Sequence, residues 1–213
     1  YVNLWPRPFQ QPHPPIWCPS QGSRETIEWA AHPDRKYVYL QTYSPAEAVA
    51  KYLDMYRETA LRQYGYEASS SQIAWCAPVY VAETDKKARD DMRESYQATI
   101  DWEIVNTPHH QVERIPQGGE LKDITFDYLV DTGNLFIGSP DTVQALIEDH
   151  FEKTGGFGTL LIHAGRDYAT REKRAQSMAQ TSKPGSPFTI HCDRARPTPP
   201  PWLKPAMTPQ ATQ

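Results

Sequence analysis

"PIWCPSQGSRETIEWAA", residues 15–31, runs from an apolar stretch through Ser20, Gln21, Gly22 and Ser23 into an amphipathic helix. The reading is a first strand over 15–19, a turn, and a short helix over 24–31. Two functions suit such a junction. Small polar residues before a helix cap its unpaired N–H groups. They also suit an anion, because backbone N–H groups at a helix N-terminus point outward and the helix dipole adds partial positive charge. Gly22 removes the Cβ that would block close approach, and the Ser20 and Ser23 hydroxyls add donors.

Outward from this stretch, strands and helices alternate. "KYVYLQT" (36–42) is a β-rich second strand. "SPAEAVAKYLDMYRETALRQYG" then opens a helix with Ser44 as N-cap, Pro45 first in the helix and Glu47 completing a capping box. Its core face is read as Ala48, Tyr52, Met55, Tyr56 and Thr59, and Gly65 ends it. "QIAWCAPVYVAE" (72–83) is a third strand, apolar on both faces as in a covered parallel sheet. Thr84 caps the charged helix "DKKARDDMRESYQATIDW". Residues 103–136 are poorly patterned, with a small helix over 121–131. "GSPDTVQALIEDHFEKTGG" carries a Ser139 cap, Pro140 and terminal glycines; "FGTLLIHA" (157–164) is a fourth strand and "DYATREKRAQSMAQ" the last helix. Strict alternation predicts parallel βα units. Four such units make either a small doubly wound sheet or half of a (β/α)8 barrel.

The totals bound the class. A chain of 213 residues with net charge −4 is not built for nucleic acid as its main partner. No apolar run approaches the roughly 18 residues of a membrane span, so no membrane association is expected and the chain reads as cytoplasmic. Cys18, Cys76 and Cys192 are odd in number and lack metal-ligand spacing, so buried reduced thiols and no metal are expected. Of 20 prolines, six fall in the first 19 residues and eight between Pro184 and Pro209. The aperiodic Pro/Thr/Ser-rich tail, 181–213, reads as disordered. A first residue of Tyr1 points to a fragment or processed piece.

"PRPFQQPHPPIWCPSQGSRETIEWAA" resembles the hallmark stretch of the luciferase-like flavin monooxygenases. Further similar segments follow in order: "YLQTYSPAEAV", "VYVAETDKKARDDM", "GSPDTVQALIEDHFEKTGGFGTLLI" and "REKRAQSMAQ". The resemblance covers residues 1–180 and implies an α/β fold, the C-terminal half (strands five to eight) of a (β/α)8 barrel. Its strands would be parallel and adjacent in chain order, with helices on one face. Active sites in such barrels lie at the strand C-termini, where Ser20–Ser23, Gln41–Thr42 and His163–Ala164 fall. By resemblance, the turn holds the phosphate of reduced FMN through Gly22 and Ser23 first, then Ser20 and Gln21. Gln41, Thr42 and His163 line the pocket. The implied partners are a flavin reductase, O2 and a small organic substrate, with a homo-oligomer as one state. Where the chain departs from the family, its first half is missing, and with it the expected catalytic residues; the isolated fragment is then expected to be inactive. A deazaflavin-dependent oxidoreductase of the same barrel, and a non-catalytic remnant that only binds flavin phosphate, are the alternatives.

Other signals read as structural. His109–His110 lies in the variable span as a solvated loop, Cys18 and Cys76 as packing residues without a base, and the helix tyrosines as core.

Overall fold

The computed structural model describes residues 8–11, 13–42, 45–163 and 169–181. Ser44, Ala164 and the tail beyond Thr181 lie outside the described residues.

The order is β1 (Trp17–Ser20), α1 (Arg24–Ala31), β2 (Val38–Thr42), α2 (Ala46–Glu58), β3 (Ile73–Val81), α3 (Asp85–Asn106), α4 (Phe126–Asp131), β4 (Phe136–Gly138), α5 (Pro140–Lys153), β5 (Thr159–His163) and α6 (Arg171–Thr181). All pairings are parallel: β1 with β2, and β3 with β2, β4 and β5. Both β2 and β5 register against Ala74–Cys76, so they occupy opposite edges of β3. The four strands expected from sequence are therefore parallel neighbours in chain order. The three-residue β4 is an addition, pairing with Val79–Val81. It is too short to show a period, and it begins where the poorly patterned span ends, at Phe136.

Local chemistry explains most boundaries. Thr84 caps α3 by accepting from the Lys87 N–H, and Ser139 caps α5 by accepting from the Thr142 N–H. Helix α2 starts one residue later than expected, with Pro45 at the cap position. A π-helical turn, Thr59–Gln63, continues it to Gly65 at φ +70°. Its buried face is Ala46, Val49, Leu53 and Tyr56; of the expected face Tyr56 and Thr59 are buried, while Ala48, Tyr52 and Met55 are half-buried. The actual stripe follows the same helical period on a neighbouring face, and Tyr52 and Met55 end on its flank.

All nine residues of β3 are buried. Its odd positions, Ile73 to Val81, join Tyr39, Leu53 and Tyr56 in a core with α1, α2 and α5. On the opposite face, Tyr80 and Ala82 pack with α3 and α4 through Met92, Tyr96, Phe126 and Leu129. Helices on one face only is therefore corrected. β3 runs past the end of β2, whose last partner is Cys76. The overhang is covered by helices as well as by β4.

Candidate functional site

Because the strands are parallel, the C-terminal ends of β1, β2 and β5 lie along one edge of the sheet. Ser20 ends β1 opposite Gln41, Thr42 ends β2, and His163 ends β5 opposite Pro78. The Thr42 hydroxyl donates to the Ser20 carbonyl at 3.1 Å, tying the turn to β2. The expected site residues thus share one rim.

The turn itself is a compact self-bonded loop. The backbone N–H groups of Gly22 and Ser23 both donate to the Ser20 hydroxyl oxygen, at 3.2 and 3.1 Å. Ser23 is the α1 N-cap: its hydroxyl accepts from Thr26 N–H at 3.4 Å, and its carbonyl accepts the first helical bond from Ile27 at 3.0 Å. Both readings of the junction therefore describe the same atoms. The amides that suit an anion are present at a helix N-terminus, and a hydroxyl oxygen takes their bonds. Gln21 is exposed at the tip.

Gly22 is required twice over. Its φ of +100° lies in the left-handed region, and a Cβ there would stand 2.1 Å from the Tyr52 ring. Under the turn, the fully buried Tyr39 phenol donates to Gln41 Oε1 at 2.5 Å. Burial pushes that phenol well above its ordinary range, while bonds from the Ser20 side chain and Gly22 backbone pull the other way. Tyr39 is therefore a neutral donor. Gln41 is fully buried and is the acceptor for this phenol.

The span between α3 and α4 reaches the Tyr52 side of the turn. One-turn helices at Pro108–His110 and Val112–Arg114 carry Glu113, whose carboxylate accepts from the Tyr52 hydroxyl at 2.5 Å. That bond, with burial and the Glu113 charge behind it, pushes the Tyr52 phenol up to about 12. Next to Glu113, the buried Arg114 donates to Gln111 at 3.0 Å and pairs with Glu103 of α3 at 3.3 Å. Burial lowers the His163 pKa, opposed by the Glu103 charge, which brings the end of β5 into the same electrostatic group. Tyr39, Tyr52, Glu113 and Arg114 were missed in the sequence. Tyr52 was read as a core residue, and the others carry no motif. His109 and His110 are exposed, as expected of a solvated loop. Cys18 and Cys76 are free and buried, and burial raises both thiols. Neither is a poised nucleophile. Among the described residues, no group of His, Cys, Asp and Glu is arranged to hold a metal ion.

Comparison with known proteins fits this geometry to a family. The family of luciferase-like monooxygenases matches residues 1–157. Among curated proteins, 3,6-diketocamphane 1,6-monooxygenase of Pseudomonas putida is 29% identical over 163 residues, covering 72% of this chain and 42% of its own length. The solved oxygenating constituent of 3,6-diketocamphane monooxygenase from Pseudomonas putida, a type II Baeyer-Villiger monooxygenase in complex with FMN, superposes with TM-score 0.63. It is 27% identical, over 81% of this chain and 47% of its own. A monooxygenase from Streptomyces bottropensis shares the fold at TM-score 0.57 and 23% identity, over 83% of this chain and 49% of its own. The chain thus spans less than half the length of these relatives. It belongs to the luciferase-like monooxygenase family.

Proposed function

We propose that this chain is the C-terminal half of a (β/α)8 barrel, the strands first read as five to eight, from an FMN-dependent monooxygenase. Residues 1–180 form the barrel portion and 181–213 a tail. The whole enzyme oxidises a small organic substrate with O2 and reduced FMN, which a separate flavin reductase supplies in the cytoplasm. One observation carries the reading: a glycine turn at φ +100° sets two backbone N–H groups at the start of α1, on the C-terminal edge of parallel strands. Family membership and the FMN named with the Pseudomonas putida structure support it.

The donor set fits a phosphate. The N–H groups of Gly22 and Ser23 bond the Ser20 oxygen, and a phosphate oxygen would be a stronger, charge-assisted acceptor for the same two donors. Ser20 then turns its hydroxyl to donate. Gln21, exposed at the tip, contributes from solvent, and Thr42 anchors the turn to β2. His163 sits at the rim as a neutral imidazole, its pKa lowered by burial. When bound, reduced flavin supplies the oxygen chemistry, and the protein supplies binding, orientation and exclusion of water. A deazaflavin relative and a remnant that only binds flavin phosphate are the competing readings.

Gly22→Val tests the seat. It should weaken FMN roughly tenfold, the loss of about one charge-assisted hydrogen bond, and weaken riboflavin much less. Flavin fluorescence titration measures both, and circular dichroism controls for folding. Equal losses would make the turn a shaping element, and no loss for either ligand would leave it a helix cap. Tighter binding of a deazaflavin than of FMN would move the assignment to the deazaflavin class.

A further inference from the structure

The proposed phosphate seat has a carboxylate standing over it. The hydroxyl-bearing end of the Tyr52 ring lies directly against Gly22, and that same phenol donates to Glu113 at 2.5 Å. Glu113 is therefore one phenol hydroxyl and one hydrogen bond from the turn. It is exposed. Its charge also reaches inward, adding to the raised pKa of Tyr39 beneath the turn. A cation stands nearby as well: Lys51 Nζ is 5.3 Å from the Tyr52 ring centroid. Glu113 belongs to a strap tied at its other side by Arg114 to Glu103.

We propose that Glu113, held by Tyr52 over Gly22, is a specificity-determining carboxylate that sets the preference of this site between phosphorylated and unphosphorylated flavin. The inference rests on the phosphate-seat reading and adds a negative element to it. A phosphate held by the Gly22 and Ser23 amides would share the turn with the Tyr52 phenol that carries Glu113, and like charges so placed would disfavour each other. Riboflavin carries no such charge and is indifferent to Glu113.

The experiment compares FMN with riboflavin by fluorescence quenching, on this full chain, its Glu113→Gln variant and its Tyr52→Phe variant. Glu113→Gln keeps the shape and the acceptor oxygen but removes the charge. It should tighten FMN roughly two- to fivefold, the range for a partly screened exposed charge pair, and leave riboflavin unchanged. Tyr52→Phe frees the carboxylate from its anchor and should shift FMN in the same direction by less. Equal changes for both flavins would mean that the pair only packs, overturning the proposal. If the unmodified chain prefers FMN and Glu113→Gln does not alter that preference, the seat stands and the carboxylate has no role. If no variant distinguishes the flavins, or none binds either, seat and carboxylate fall together.

Discussion

The His150 imidazole is 3% exposed, stacked on Trp75 at 5.3 Å and edge-on to Phe136 at 4.9 Å. Burial lowers its pKa, although the Leu146 and Gly133 carbonyls and the Asp149 charge all favour the imidazolium. The Asp149 carboxylate lies 3.5 Å from Nδ1, but its short partner is Lys153 at 2.7 Å, so the ring is a neutral donor to Leu146 O at 2.8 Å. In the unfolded chain, His150 takes up a proton near its ordinary value of 6.5; the folded chain resists it. Stability should therefore be full at neutral pH and decline as the pH falls below about 6.5, where the unfolded state binds more protons. His163, lowered by burial too, adds a smaller decline of the same sign. Melting temperatures between about pH 7.5 and 5 should slope downward for the natural chain and less steeply for His150→Phe. Parallel curves would show that His150 does not contribute. Of the candidate site, the residues legible in the sequence are those whose role is local. Small side chains between a strand and a helix imply a turn with outward amides, so Ser20 to Ser23 were found. Tyr39, Tyr52 and Glu113 reach the same turn from residues 19 to 93 positions away, by contacts that only folding creates. Gln41 was found for its place at a strand end, but it is buried as the acceptor for the Tyr39 phenol.

Between elements, Arg57 joins α2 to the end of α5. Its guanidinium donates to the carbonyls of Thr154, Gly155 and Gly156 at 3.0, 3.1 and 2.5 Å. These carbonyls converge because Gly155 and Gly156 have φ of +68° and +87°, turning the chain back at the helix end. The cation also faces the negative end of the α5 dipole. Arg57→Ala should cost about 2 kcal/mol, since three acceptors lose a charged, mostly buried donor at once. Arg57→Lys should recover less than half of that, because one ammonium cannot span three carbonyls in a row. Urea denaturation measures both, and a lysine variant as stable as the natural chain would refute the fork geometry. At this scale the sequence was legible wherever a cap or stop residue marks a boundary, as at Ser139, Thr84 and Gly65. It was not legible where tertiary contacts choose among equivalent local options. The buried stripe of α2 follows from what β2 and β3 present to it, and β4 exists because β3 overhangs β2.

Seen whole, the sheet has one face packed under α1, α2 and α5, and another that is apolar without the same cover. Leu40, Ala74 and Cys76 form a small cluster there with Val38. By strand alternation Trp17 and Leu161 share this face, and they are 39% and 45% exposed. Among the described residues, β1 pairs only with β2 and β5 only with β3, so each strand keeps one unpaired edge. Open edges beside an apolar face favour pairing with another chain, and closure of a barrel removes both. The proposed half-barrel lacks that closure. This chain alone should therefore run larger than a monomer in light scattering coupled to gel filtration. Leu161→Lys should reduce that association with little change in melting temperature, because the side chain it replaces is already half exposed. The same openness bears on chemistry. A reacting flavin must be kept from water, and a face that leaves Trp17 and Leu161 39% and 45% exposed does not exclude it. Mixing the chain with reduced FMN, O2 and 3,6-diketocamphane, the ketone for which its Pseudomonas putida relative is named, should yield no oxygenated product, even where FMN binds. A monomeric chain that turns the ketone over would mean that these five strands enclose a complete site, and the half-barrel reading would fail.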